Sequence, residues 1–204
     1  MLPNTTMFAR AGTVYPQLTG EKAGKEFDLV AVPGRRRLVV AQAKGNEIRP
    51  LLRTAEAAIG STLAPESVVA RVAVAHPDSL WTFRRTDQIV GGAALLMLNS
   101  PGLEALLAGN IDLADPPPAF LAHPAAAPAA IYVWAIFGPS IAIEGIAYVI
   151  VRLQSDPYRF ADIYALPHTR NGMRFTLGLG FHEIPDHPQH LLRYVRIVNR
   201  AGHA

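Results

Sequence analysis

The spacing of apolar residues changes rhythm several times along the chain, and each change predicts a new element. Residues 1 to about 26 show little periodicity and carry Gly and Pro, which predicts an irregular arm. "FDLVAVPGRRRLVVAQA" (27–43) is two β-rich runs around Pro33-Gly34, a hairpin pattern. After Asn46, "EIRPLLRTAEAAIGS" puts Leu51, Leu52, Ala55, Ala58 and Ile59 on one helical face. Pro50 confines itself to the first turn, because deeper in a helix it lacks a donor and clashes with the preceding turn. A second helix is predicted from Pro65 to about Ala75, with Val68, Val69, Val72 and Ala73 inward. His76-Pro77 ends it, since the residue before proline avoids the helical region.

"LWTFRR" (80–85) alternates as a strand, and Thr86-Asp87-Gln88 turns into "IVGGAALLMLN" (89–99), whose glycine pair predicts a bulge. Past Ser100-Pro101, "GLEALLAG" is a short helix closed by Gly109. Asp115 to Ala130, rich in Pro and Ala, reads as a loop. "AIYVWAIF" (130–137) is uncharged, β-branched and aromatic, a central strand. "GIAYVIVRL" from Gly145 is a buried helix and "RFADIYALP" (159–167) a strand. Thr169 to Gly178 is a helix and "HLLRYVRIV" (190–198) a last alternating strand. "NGMRFTLGLGF" (171–181) fits both strand and helix spacing. Its glycines resolve it as a helix stopped by Gly178 or Gly180, with strand resuming at Phe181. The order β, α, α, β, β, insertion, β, α, β, α, β predicts an α/β (α+β) fold. Its sheet is mixed and centrally antiparallel, with helices on both faces.

Composition narrows the class. With 204 residues, 50% apolar and 17% charged, the chain is globular rather than disordered. A formal charge of +3 argues against a nucleic-acid partner, and Arg35-Arg36-Arg37 reads as a solvated hairpin tip. The lack of cysteine excludes disulfides, thiolate metal sites and a cysteine nucleophile, and it suits the cytoplasm. No signal segment is visible at the start. Pro124 to Ile143 is long and uncharged, but Pro128 and Gly138-Pro139-Ser140 break it into two buried elements rather than a membrane span. The high apolar fraction leaves room for a homodimer.

Two places could carry chemistry. A helix starting at Gly145 is a ready anion site, because its first amides lack partners and its dipole end is positive. Gly145-Ile146-Ala147 either lets a phosphate approach the backbone or packs a helix closely on a strand. "HEIPDHPQH" (182–190) gathers His182, Glu183, Asp186, His187 and His190. Pro185 and Pro188 rule out helical ligand spacing, so it reads as a polar loop and no metal is expected. Trp81 and Trp134 read as core or pocket wall, and His76 and His123, each beside a proline, as loop residues.

Four segments, in order, resemble the GNAT (Gcn5-related N-acetyltransferase) superfamily over roughly residues 36 to 198. They are "SLWTFRRTDQIVGGAALL", "YVWAIF", "EGIAYVIVRL" and "DIYALPHTRNGMRFTLGLGF". The resemblance implies an N-terminal arm or hairpin extension over 1–35 and an acyltransferase domain over 36–204. It implies a splayed strand pair that receives acetyl-CoA or another acyl-CoA as co-substrate. The acyl group would pass to an amine of a small molecule or peptide. Cofactor contacts would come from Ala135, Ile136 and Phe137, from Gly145, Ile146 and Ala147, and from Arg170, with Arg152 and Arg174 as further phosphate candidates. Catalysis needs a base for the ammonium proton and an acid near the leaving thiolate. Tyr164, Glu144 and His168 lead the candidates, with Asp162, Glu183 and Tyr148 behind them. The chain departs from the family at three points: Ala142 stands at the loop's basic or amide position, Glu144 sits beside it, and Thr176 replaces the usual tyrosine acid. Those departures also suit a GNAT-fold binding or regulatory module that transfers nothing. A third reading keeps an α/β fold with a pocket unrelated to coenzyme A, and strands 130–137 and 159–167 running parallel without splaying apart would favour it.

Overall fold

The computed structural model describes residues 27–28, 38–60, 63–139 and 142–196. The arm before Phe27, the Pro33-Gly34 turn and Arg35-Arg36-Arg37 lie outside the described residues. Eight strands form one sheet: β1 (Phe27–Asp28), β2 (Leu38–Gln42), β3 (Leu80–Arg85), β4 (Gln88–Leu98), β5 (Ala130–Phe137), β6 (Asp162–Ala165), β7 (His182–Glu183) and β8 (Leu192–Tyr194). They lie in the order β1-β2-β3-β4-β5-β6-β8-β7. Among the described residues only β5 and β6 pair in parallel; every other neighbouring pair is antiparallel. The expected hairpin over 27–43 is present as pairing of Phe27 with Val40.

Helices cover both faces. On one side lie α1 (Ile48–Ile59), α2 (Glu66–Ala75) and α3 (Ser100–Leu107); on the other lies α4 (Ala142–Leu153). The period-two pattern of the central strands decides which residue meets which layer. From β4, Ala93, Leu95 and Met97 join Ile146, Val149 and Leu153 of α4 in one cluster. Leu96 and Leu98 point the other way, to Val72 of α2 and Leu106 of α3. Phe83, Leu96 and Leu98 are fully buried, each such side chain contributing about 1.5–3 kcal/mol by leaving water. A fifth helix, α5 (Arg170–Gly178), follows β6 and begins at Thr169, whose hydroxyl accepts the Gly172 amide at 3.0 Å. Gly180 then takes a left-handed φ of 91°, so the chain turns into β7 after Phe181 as its glycines predict.

Several boundaries move for identifiable reasons. α4 starts three residues before Gly145, because that glycine is a packing position rather than a helix start. β6 keeps only the middle of 159–167, since residues 156–160 form turns and Pro167 cannot continue the ladder. Strand 190–198 shortens to Leu192–Tyr194, with residues 197 and 198 outside the described residues. The loop from Asp115 to Ala130 holds a 3-10 turn at Pro118–Phe120 and a bridge from Leu121 to Leu98. It covers the part of β4 that β3 leaves unpaired, since β3 reaches only to Ala94. Asn99 fixes this cover: its side chain caps α3 at the Gly102 amide and donates to the Ala119 carbonyl. The predicted bulge beside the glycine pair falls at Val90, where Phe83 pairs Gly91 and Arg84 pairs Ile89.

Candidate functional site

The site is built by the one parallel pair. β5 and β6 stay in register from Ala130/Asp162 to Val133/Ala165, and there the pairing ends. β5 runs on to Phe137 with β4 alone beside it, so among the described residues no strand faces the other edge of residues 134–137. β6 ends at Ala165, before Pro167, and leaves that half of β5 without a second partner strand among the described residues. The upper half of β5 therefore offers peptide groups that a ligand can satisfy.

β5 also carries a bulge at the same level. Leu95 pairs Val133 while Ala94 pairs Ala135, leaving Trp134 as the extra residue. Trp134 and Ala135 consequently both face α1 and α2, where they line an apolar cavity of about 60 Å³ with Leu51, Leu52 and Phe137. Ile136 swings back to the α4 face. Trp134 is fixed there by donating its indole N–H to the Leu113 carbonyl at 2.8 Å.

On the α4 face lies a cavity of about 400 Å³, walled by Val133, Ile136, Ile146, Val149, Leu153 and Ile163 and closed on the far side by Leu179 and Phe181. Because β5 and β6 are parallel and each is followed by a helix, α4 and α5 both begin at the same end of the sheet. Their positive dipole ends flank the unpaired half of β5 from two sides, with the Gly172 amide of α5 capped by Thr169. A crevice beyond the carboxyl ends of parallel strands is where open α/β sheets usually bind ligands.

The predicted residues distribute unevenly over this frame. Glu144 and Ala147 are exposed on the first turns of α4, and His168 and Arg170 are exposed at the start of α5. Ile146 lines the large cavity. Gly145 does not open toward solvent: a Cβ there would lie 2.8 Å from ring atoms of the buried Phe83. Close helix–strand packing is thus the reason for that glycine. Tyr164 is buried on the α2/α3 side, opposite Tyr132 in the β5–β6 register and 6.0 Å below the Arg193 guanidinium. Burial pushes its phenol above the usual range, partly offset by Arg193. Thr176 is buried too, and its hydroxyl donates to the Gly172 carbonyl at 2.8 Å inside α5, so it has no proton to offer a substrate. Asp162 accepts from Arg193 at 2.9 Å and from the Arg196 amide. Tyr148 packs edge-on against Trp81 at 5.9 Å. Arg174 is exposed on α5.

The polar loop resolves differently from expectation at two points. His182 and Glu183 form β7 instead of loop, and Glu183 pairs with His190. His187 is buried and donates from Nε2 to the Leu106 carbonyl at 3.2 Å. Among the described residues no three His, Asp or Glu side chains are grouped to hold a metal.

Sequence reasoning missed a buried polar hub. Asp78 accepts from Gln42 Nε2 at 2.7 Å, from the Tyr158 hydroxyl at 2.5 Å and from Arg152 at 2.8 Å. His76 sits beside Tyr158, ring edge to ring face at 5.7 Å, and burial lowers its pKa against the opposing pull of Asp78. His76 is therefore a buried residue rather than a loop one, and Arg152 is an anchor for α4 rather than a free phosphate ligand. An aspartate just after Pro77 reads as an ordinary turn residue, and its partners lie 36 to 80 positions away. No local signal could have found it.

No family model and no curated protein sequence matches the chain. Solved structures do. The loading GNATL domain of CurA from Lyngbya majuscula has a TM-score of 0.58 at 12% identity, over 78% of this chain and 97% of that one. Diaminobutyrate acetyltransferase EctA from Paenibacillus lautus, in complex with L-2,4-diaminobutyric acid and coenzyme A, has a TM-score of 0.52 at 15% identity, over 81% and 98%. An acetyltransferase of the GNAT family from Staphylococcus aureus Mu50 has a TM-score of 0.50 at 11% identity, over 76% and 97%. The chain has the GNAT fold, a mixed sheet opened between two parallel strands. Among the described residues no helix is long and apolar enough to cross a membrane.

Proposed function

We propose that this protein is an acyl-coenzyme A-dependent N-acyltransferase. The observation that carries the reading is the unpaired, bulged half of β5, which opens onto a cavity of about 400 Å³ between the starts of two helices. The fold it shares with EctA, whose structure holds coenzyme A and a diamine, supports the same reading. The free edge of Ala135, Ile136 and Phe137 would hydrogen-bond the amides of the co-substrate's arm and the thioester oxygen as negative charge builds. The first amides of α4 and α5, with Arg170, would face the phosphates.

In the reaction the amine nitrogen attacks the thioester carbonyl, a C–N bond forms and the C–S bond breaks. The ammonium proton goes to a base, and the departing thiolate takes a proton from an acid. Glu144 and His168 stand at the open end as bases. Tyr164, the acid the resemblance suggested, lies buried on the α2/α3 face of the sheet and does not line the large cavity, so the proton for the thiolate comes from another group or from water.

A second reading, a GNAT-fold module that binds a ligand without transfer, is favoured by one observation. Neither cavity is lined by a carboxylate or an imidazole. The two readings separate in one experiment. Calorimetric titration with coenzyme A and acyl-CoA should show binding, and amine-dependent release of free thiol should follow if the protein transfers the acyl group. Binding with no thiol release across a panel of amines leaves the module, amine-dependent thiol release removes it, and no binding at millimolar ligand removes the transferase.

A further inference from the structure

The large cavity is longer than an acetyl group needs, and its two halves differ in what they can hold. In the upper half, above Val133, the wall includes the unpaired edge of β5, with peptide groups ready for an amide-bearing ligand. Below Val133 the backbones of β5 and β6 are closed on each other, and the wall is side chain only: Leu95, Val149, Leu153 and Ile163. An amide pushed into this half would lose its water and find no partner, whereas an alkyl chain loses nothing. Ile146 and Leu153 both line the cavity and stand seven positions apart on α4, which makes the trough about 10 Å long. A volume of about 400 Å³ falls in the range of roughly 300–1,000 Å³ that encloses whole small ligands. With the end of the coenzyme arm in the upper half, a two-carbon acyl group would leave the lower half unfilled, a poorly packed arrangement for an apolar wall.

We propose that the acyl group this site selects is an unbranched aliphatic chain of medium length, laid along α4 in the lower half of the cavity. The inference rests on the acyl-CoA reading above and adds the class of acyl group to it. The upper half holds the end of the arm and the thioester. The chain runs down between α4 and β6, past Phe181. At the far end Gln154, Arg159 and Arg196 make the surroundings polar and set a limit to its length.

The test measures dissociation constants of coenzyme A, acetyl-, butyryl-, hexanoyl-, octanoyl- and adipoyl-CoA by calorimetry. Each methylene moved from water into such a wall tightens binding by up to about four-fold. Hexanoyl- or octanoyl-CoA should therefore bind at least about tenfold tighter than acetyl-CoA. Equal affinities for acetyl- and octanoyl-CoA, or the tightest binding for adipoyl-CoA with its terminal carboxylate, would overturn the inference and leave the acyl-CoA reading standing. Absence of binding by coenzyme A and all its thioesters would overturn both. Ile150→Trp, at a half-buried position that lines the cavity, should remove the advantage of octanoyl- over acetyl-CoA. Leu179→Trp, on the opposite wall and partly exposed, should do the same if the first variant folds poorly. An octanoyl preference that survives in whichever of these variants folds places the chain elsewhere and refutes the proposal.

Discussion

The two ends of α4 are held in opposite ways. At the carboxyl end, Arg152 donates to Asp78 and to Ser155 Oγ at 2.6 Å, and its guanidinium lies 4.9 Å from the centre of the Tyr158 ring. Four stretches of chain meet there: β2 through Gln42, the turn at His76–Ser79, α4 itself and the turn after it. At the amino end, packing of Gly145 on Phe83 and of Ile146 in the cavity wall holds the helix, while Glu144 and Ala147 face solvent. The buried hydrogen-bonded anchor of α4 lies at its carboxyl end, away from the unpaired half of β5 where a ligand is expected. A binding site needs this division, because a surface that must accept a ligand cannot also be saturated by the protein's own groups.

The comparison breaks first if the anchored end proves dispensable. Asp78 is almost wholly buried and Arg152 about two-thirds so. Asp78→Ala leaves the guanidinium, the Gln42 amide and the Tyr158 hydroxyl without their shared acceptor. Removal of one partner of a buried pair costs about 3–5 kcal/mol, and the partial exposure of Arg152 places the expected loss near the lower figure. Urea unfolding followed by circular dichroism checks this. A loss below about 1 kcal/mol would mean the hub is ornamental and the two ends equivalent.

Gly145→Ala probes the open end. The added methyl meets three ring atoms of Phe83 at 2.8–2.9 Å, and Phe83 is fully buried, so the strand or helix must shift. Overpacking of this kind costs about 1–3 kcal/mol, and the gain in helix propensity returns up to about 1 kcal/mol. The expected net loss is about 1 kcal/mol, read from the same unfolding curves. A stabilised variant would show that the helix start is loose enough to yield, and that the glycine serves ligand approach after all.

His76 gives the anchored end a pH signature. Burial holds its folded pKa below the unfolded value, so between the two the unfolded chain binds the extra proton. Its stabilising contribution is therefore complete above about pH 6.5 and declines as pH falls through that value, levelling off below the folded pKa. The groups facing it are Tyr158, Asp78 and Arg152. Unfolding midpoints at descending pH should fall over this window in the parent protein and fall less in His76→Gln. Parallel curves for the two proteins would exclude His76 as the source.

What the sequence made legible follows the same division. The strand 130–137 and the helix Thr169–Gly178 were readable almost to the residue, because an uncharged β-branched run and an N-capping threonine are local signals. The splay was legible only through resemblance, since nothing inside "AIYVWAIF" says that its second half loses a neighbour. The bulge at Trp134 was invisible for a related reason. An extra residue in one strand shows only against its partner's register, and no pattern within β5 marks it. Gly145 was the instructive ambiguity: the same glycine suits a phosphate or a phenyl ring, and only the position of Phe83, 62 residues earlier in the chain, decides between them.

Glu144 carries the smallest and most discriminating effect. An acidic side chain in the first turn of α4 complements the helix dipole, so Glu144→Gln should lower stability by less than about 1 kcal/mol. Toward a phosphate-bearing ligand the same charge is repulsive, and at the solvent-exposed helix start the repulsion is screened. Coenzyme A should bind Glu144→Gln about two- to five-fold more tightly at low ionic strength, and the gain should vanish near 1 M salt, where the screening length falls to about 3 Å. The turnover number tells which job the residue has. If Glu144 only stands beside the phosphates, turnover with a fixed amine stays within about two-fold of the parent once ligand saturates. If it takes the ammonium proton, turnover falls by roughly 10²–10⁴ while affinity still rises. The second pattern would make the open end of α4 the catalytic one, and the first would return the base to His168 on the opposite lip of the splay.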